Sequence, residues 1–266
     1  MKTYKIKNIE LIFSGKKVRI LAAAVTAFML AFVLFNRELY LDSDLQKTQG
    51  MALLIISLIA APVAGLLIMT NIRLPEKWRG AGNTLLFFLM PIVSMQMVES
   101  LNGKFIYDFS PQTFFANYLT ILCFYLLFYL FTGRYHMVGL IVNISLFVWG
   151  LLNYFIGTFR GTPFVPMDLF SFKTGLNVAD GYNYELSWNL IVGSILFFLT
   201  YLLNKKIKNI RPLKLKTKIV CKLLPAGFLI VLCSAFFFTD FPANAGYKPD
   251  FWNQTRGYYL SLIHIS

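Results

Sequence analysis

Long apolar runs alternate along the chain with short polar segments. A membrane-spanning helix needs about 20 mostly apolar residues. Seven runs approach or reach that length, at residues 18–35, 51–70, 84–101, 113–131, 137–156, 187–203 and 220–238. The pattern predicts an all-α, polytopic transmembrane helix bundle of about seven spans, which forms one domain over residues 1–238. The composition agrees, because 57% of the residues are hydrophobic and only 14% are charged, whereas soluble domains carry about 25% charged residues.

The third run is the least apolar of the seven. It contains Pro91, Gln96 and Glu99, and proline is tolerated in a membrane helix when neighbouring groups satisfy the freed carbonyl. Glu99 is expected near the end of this span, at the interface. Asn143 and Asn153 fall within the fifth run, and polar residues at that depth are expected to bond a neighbouring helix.

The distribution of lysine and arginine predicts the orientation. With the N-terminus inside, the inner segments 1–17, 71–83, 132–136 and 204–219, with the adjoining helix ends, hold 18 of the 25 basic residues and two of the 12 acids. This is the positive-inside pattern, so we expect a cytoplasmic N-terminus and an extracellular C-terminus. The net charge of +13 is thereby explained by basic loops facing anionic lipid, and it implies no nucleic-acid partner.

The external segment 159–185 is patterned more strongly than a plain connector. It holds two prolines and three glycines, and residues 167–178 (MDLFSFKTGLNV) suit an amphipathic helix on the outer surface. Asp168 is placed to cap the start of that helix. Arg160 has two readings that stay open: its planar donor fork contacts a lipid phosphate or a substrate head group, or it anchors the interface, alone or paired with Asp168.

Recognised catalytic and metal-binding motifs do not occur in the sequence. The three cysteines (Cys123, Cys221 and Cys233) and the two histidines lack the spacing of metal ligands. We therefore assign no catalytic residue, no metal ligand and no cofactor to this chain. Residues 239–266 are aromatic and are predicted to form an external juncture.

Two strings resemble the membrane part of the lipoteichoic acid synthase family, which are sulfatase-fold phosphoglycerol transferases of bacterial envelopes. One is RGTPFVPMDL at residues 160–169, continued by TGLNVA at 174–179. The other is FWNQ at 251–254, followed by GYYL at 257–260. The two strings span residues 160–179 and 251–260. The resemblance adds Thr162 and Asn177 to Arg160 and Asp168 as candidates for a lipid-binding or substrate-binding loop.

The resemblance implies a division of labour in the plasma membrane of a Gram-positive bacterium. In that family an external domain with a divalent metal, often manganese, and a threonine nucleophile transfers glycerol phosphate from phosphatidylglycerol to a polymer. The membrane helices anchor this domain beside its lipid. Because this sequence stops where the external domain would begin, we expect a gene fragment that is inactive by itself, in which residues 261–266 (SLIHIS) are not native.

Two other classes of function remain open at this stage. A transporter or flippase subunit would need polar groups that converge at the midplane, and Gln96, Glu99, Asn143 and Asn153 are the candidates. A glycosyltransferase that uses lipid-linked sugars would place acids in an early external loop, where Glu38, Asp42 and Asp44 occur. A natural, short membrane protein that ends at residue 266 is the plainest alternative to a fragment.

Overall fold

A computed structural model of the chain describes residues 2–6, 9–41, 47–73, 75–160 and 186–206, with a few residues between 223 and 234. Up to residue 206 the described part of the chain contains seven α-helices: α1 (Lys16–Phe35), α2 (Glu38–Leu41), α3 (Lys47–Met69), α4 (Glu76–Leu101), α5 (Pro111–Thr132), α6 (Tyr135–Arg160) and α7 (Trp188–Lys206). Three short strands accompany them: β1 (Lys2–Ile6), β2 (Ile9–Phe13) and β3 (Thr70–Arg73). The predicted fold class, a polytopic bundle of membrane-spanning helices, is confirmed.

Six of these helices are long and apolar enough to cross a membrane: α1, α3, α4, α5, α6 and α7. They correspond to the first six predicted spans. The predicted seventh span, residues 220–238, lies largely outside the described residues, although residues 226–231 are helical. The predicted amphipathic helix at 167–178 and the juncture at 239–266 lie wholly outside them.

Local sequence signals fix several helix ends. Ser110 caps α5, because its side chain accepts a hydrogen bond from the backbone N–H of Thr113, and Pro111 occupies the first turn. The same helix ends at Gly133, whose φ of 62° lies in the left-handed region that glycine adopts without strain. Helix α4 continues through Pro91, and Pro91 is buried. A proline is tolerated there because other helices surround it.

Successive spans run in opposite directions. At one end of the bundle the Phe105 ring, just after α4, stacks on Trp188 at the start of α7, with centroids 5.6 Å apart. We call this the polar end. At the other end the Lys206 ammonium, which terminates α7, donates to the backbone carbonyl of Thr70 just after α3. We call this the sheet end, and the described parts of the predicted inner segments all lie there.

The sheet at this end is a feature that the sequence pattern did not predict. Strand β2 pairs antiparallel with β1 and with β3, in the order β1-β2-β3. Strand β2 leads into α1, and β3 follows α3. Their pairing therefore places the start of α1 and the end of α3 on the same side of the membrane. This agrees with the predicted alternation of the first two spans.

Helix α4 forms the centre of the bundle, and α1 lies at its edge. In the span of α4, 56% of the residues are buried inside the protein, compared with 11% for α1. Leu101 at the end of α4 packs between two glycines: a Cβ at Gly150 of α6 would lie 2.6 Å from its Cδ1, and a Cβ at Gly193 of α7 would lie 2.5 Å from its Cδ2. Small residues at these positions allow the three helices to approach closely.

Candidate functional site at the polar end

The four candidates for the lipid-binding or substrate-binding loop fall at the polar end or outside the described residues. Arg160 is the last residue of α6, whereas Thr162, Asp168 and Asn177 lie outside the described part of the chain. The helices on either side of them meet at this end, because the Tyr154 hydroxyl of α6 lies 2.8 Å from the Ser187 hydroxyl just before α7. The end of α6 and the start of α7, which flank residues 161–185 in sequence, therefore both lie at the polar end.

The least expected side chain at this end is Glu99. It lies in the last turn of α4, as the sequence predicted, but it is completely buried instead of facing the interface. Neither of its carboxylate oxygens has a hydrogen-bond partner among the residues that the structure describes. A buried carboxylate costs several kcal/mol unless another group compensates for it, so the groups around Glu99 determine what it can do.

Lys104 is the cation that acts on Glu99. The chain folds back after α4, since the backbone carbonyl of Glu99 accepts from the N–H groups of Asn102, at 3.0 Å, and Lys104, at 2.9 Å. Gly103 makes this turn possible with a φ of 73°. Burial lowers the pKa of the half-buried Lys104 amine, and the negative charge of Glu99 acts in the opposite direction.

Two amide groups add further hydrogen-bond acceptors. The side-chain oxygens of Asn102 and of Asn189 in α7 are buried and lack a hydrogen-bond donor within the described ranges. Asn189 sits directly against the turn, because its Nδ2 lies 3.2 Å from the position that a Cβ on Gly103 would occupy. Acceptor oxygens from α4 and α7 therefore lie beside the turn that carries Lys104.

Gln96 supports this turn. Its side-chain oxygen accepts from the backbone N–H of Ile106 at 3.0 Å, and its amide donates to the Ser100 hydroxyl at 2.8 Å. A stack of aromatic rings follows: Tyr107 lies on Phe105 with centroids 5.1 Å apart, and Phe105 lies in turn on Trp188. Tyr107 is 69% exposed whereas Phe105 is 6% exposed, so the stack runs from the surface into the bundle, as aromatic residues do at membrane interfaces.

The polar residues nearer the middle of the bundle have a different role. Asn143 of α6 donates to the Tyr125 hydroxyl of α5 at 3.1 Å and to the carbonyl of Gly139 at 2.7 Å. Its side-chain oxygen accepts from the Ser94 hydroxyl of α4 at 2.6 Å, and Ser94 and Tyr125 are 2.9 Å apart. The prediction that Asn143 bonds a neighbouring helix is confirmed. Interhelical bonds of this kind contribute about 1 kcal/mol each, and this closed ring ties α4, α5 and α6 together.

Sequence reasoning found Glu99 and Gln96 but missed Lys104, Asn102 and Asn189. A signal was present in the string ESLNGK at residues 99–104. Asn-Gly after a helix predicts a turn, and such a turn brings a lysine back towards an acid in the last helical turn. The contribution of Asn189 could not be read in this way, since it depends on how α7 packs against α4.

Comparisons of the sequence with family models and with curated proteins, and of the fold with solved structures, find no match. The chain is, by its own architecture, a multi-pass membrane protein with a buried polar site at one end of its bundle.

Proposed function

We propose that this chain is the membrane domain of a bacterial envelope phosphoglycerol transferase similar to the lipoteichoic acid synthases. In this proposal it anchors the enzyme and holds an anionic glycerophospholipid, such as phosphatidylglycerol, at its polar end. The proposal is supported by where the residues that resemble the family lie relative to Glu99 and Lys104. The string that resembles the family starts at Arg160, the last residue of α6, and α6 and α7 meet beside the turn that holds Glu99 and Lys104.

The chemistry of the polar end suits such a lipid. Lys104 supplies a positive charge for a phosphate, and an arginine at the end of α6 adds a planar donor fork. The acceptor oxygens of Glu99, Asn102 and Asn189 suit the hydroxyl groups of a glycerol head group. We assign the transfer of glycerol phosphate to the external domain of such enzymes, together with the divalent metal that the resemblance implies.

The proposed sidedness follows from the charge pattern. With the basic sheet end in the cytoplasm, the polar end faces the outer leaflet of the plasma membrane. The lipid would then be held on the side where envelope polymers are assembled. In this arrangement the transferase takes its donor lipid from the leaflet in which the polar end lies.

Transport is supported less well. An ionisable residue within a membrane span is a reasonable starting point for a transport hypothesis, and Glu99 is such a residue. However, Ser94, Tyr125 and Asn143, the polar residues deeper in the bundle, bond one another. In the described part of the chain they form a structural contact between helices and not a continuation of a path from Glu99.

Lipid retention by the purified chain tests the proposal. We expect native mass spectrometry, after extraction from bilayers of equal parts phosphatidylglycerol and phosphatidylcholine, to show retained phosphatidylglycerol in clear excess. Lys104→Gln should lower that excess about tenfold, the value of one charge-assisted contact. The matched control is Arg134→Gln, because Arg134 is an exposed cation at the opposite end of the bundle. Equal retention of the two lipids, or equal losses in the two variants, would contradict the proposal.

A further inference from the structure

Several buried oxygen atoms at the polar end accept no hydrogen bond from the residues that the structure describes. They are both carboxylate oxygens of Glu99 and the side-chain oxygens of Asn102 and Asn189. Buried polar atoms in folded proteins nearly always have a hydrogen-bond partner. A group that donates more than one hydrogen bond would therefore be stabilised among these oxygens.

The three side chains belong to one small region. Asn102 follows Glu99 closely in sequence, and its backbone N–H donates to the carbonyl of Glu99 at 3.0 Å. Asn189 reaches the same turn from α7, and a Cβ on Gly103 would lie 3.2 Å from the Nδ2 of Asn189 and 3.9 Å from the Cζ2 of Trp188. The buried Trp188 ring gives the region an apolar wall, and hydrogen bonds are stronger beside such a wall because the local dielectric is low.

The charges in this region decide which kind of donor fits. The ammonium group of Lys104 acts electrostatically on the Glu99 carboxylate but makes no hydrogen bond to it. Lys104 would repel a cation placed among the acceptor oxygens, and Glu99 would repel a bare anion. A hydroxyl group meets neither repulsion, because it is neutral, donates to a carboxylate or amide oxygen and accepts from an ammonium group. Since several acceptor oxygens lie together, the ligand that fits them is a polyol.

We propose that Glu99 is a specificity-determining residue, which selects the lipid at the polar end by the hydroxyl groups of its head group and not by its charge alone. This inference rests on the proposed function, because the lipid supplies the polyol. Glu99 is completely buried, whereas Asn102, Gly103 and Lys104 are partly exposed. The hydroxyl groups therefore reach Glu99 through this turn, which moves aside as they enter, and the lipid phosphate stays near Lys104. A lipid of equal charge without hydroxyl groups leaves the acceptor oxygens unpaired, and a site built for hydroxyl groups discriminates strongly against such an analogue.

A lipid that differs from phosphatidylglycerol only in these hydroxyl groups tests the inference. Phosphatidylpropanol has the same charge and the same carbon chain in its head group, but no hydroxyl group. The full chain is extracted from bilayers of equal parts phosphatidylglycerol, phosphatidylpropanol and phosphatidylcholine, and native mass spectrometry measures the retained lipids. Phosphatidylglycerol should be retained about tenfold or more over phosphatidylpropanol. Equal retention of these two lipids, both in excess over phosphatidylcholine, would overturn the inference and leave the proposed function standing. Retention of phosphatidylglycerol no greater than that of phosphatidylcholine would overturn both.

Two variants assign the preference to this region. Glu99→Gln keeps the shape of the side chain but loses the charge that strengthens an accepted hydrogen bond. It should lower the preference for phosphatidylglycerol over phosphatidylpropanol about threefold or more, while the excess over phosphatidylcholine remains. Asn189→Ala removes a neutral acceptor and should lower the same preference by a smaller factor. An unchanged preference in Glu99→Gln would overturn the inference.

The matched control is Glu38→Gln, the same substitution at an exposed acid. Glu38 begins α2, and Tyr40 of that helix packs in one cluster with Phe105 and Trp188 at the polar end. The control should leave the preference unchanged, and a loss equal to that of Glu99→Gln would contradict a specific role for Glu99. Free glycerol phosphate at the concentration of the lipid should not displace phosphatidylglycerol. Displacement would show that the site takes a soluble polyol phosphate and would overturn the assignment to a lipid.

Discussion

Replacing Arg160 by alanine is expected to lower the transfer of glycerol phosphate from phosphatidylglycerol about tenfold or more, with an unchanged amount of protein in the membrane. A bidentate, charge-assisted contact to a phosphate contributes about 1.5–3 kcal/mol, and alanine removes it completely. The measurement is the release of fluorescent diacylglycerol from labelled phosphatidylglycerol, in membranes of cells that express the gene from its native locus.

Two further variants define the role of Arg160. Arg160→Lys keeps the charge but loses the planar fork, so it should retain an intermediate rate. Arg134→Ala removes an exposed arginine at the sheet end and should leave the rate unchanged. An unchanged transfer rate in Arg160→Ala would exclude a role for Arg160 in binding the substrate. A lower amount of protein in the membrane would instead indicate that Arg160 anchors the chain at the membrane interface.

The second large effect is expected at the polar end itself, where Lys104→Met should destabilise the bundle by about 3 kcal/mol. Lys104 supplies the positive charge that acts on Glu99, and Glu99 is completely buried without a hydrogen-bond partner in the described ranges. Removing the lysine therefore leaves a buried carboxylate without a compensating charge. Glu99→Gln should cost much less, because it removes the buried charge and leaves a lysine that is partly exposed. Unfolding by sodium dodecyl sulfate in mixed micelles measures both free energies.

The double variant completes the test. Glu99→Gln combined with Lys104→Met should be more stable than Lys104→Met alone, because no buried charge then lacks a partner. Strictly additive effects would show that the two residues do not interact. A cost for Glu99→Gln as large as that for Lys104→Met would show that Glu99 acts through contacts other than its charge.

The spans could be predicted from the sequence because their signal is local. A run of apolar residues long enough to cross the bilayer is sufficient to predict a span. Each of the six runs up to residue 203 is a helix in the structure. Their ends were predicted less well. Helix α4 begins at Glu76, well before the apolar run at residue 84, and α6 continues to Arg160. These helices extend beyond the hydrocarbon core into the interface. Charged residues are tolerated there within a helix, so they do not mark the end of the helix.

The sheet and the burial of Glu99 could not be predicted because both depend on contacts between distant residues. Strand β3 is four residues long, and three helices (α1, α2 and α3) separate it in sequence from its partner β2. Glu99 has the same local sequence whether it faces lipid head groups or the interior. Its burial follows from the packing of α4 among its neighbours and from the turn at Gly103. The interpretation of residues 161–185 stays a prediction.

The most direct test of the proposed function is the conversion of phosphatidylglycerol in membranes from cells with the gene intact and with it disrupted. We predict that diacylglycerol release and the amount of phosphoglycerol polymer both fall when the gene is disrupted, and that both recover when the gene is supplied again. Unchanged release and unchanged polymer in the disrupted strain would contradict it, and the chain would then stand as a multi-pass membrane protein with a different activity.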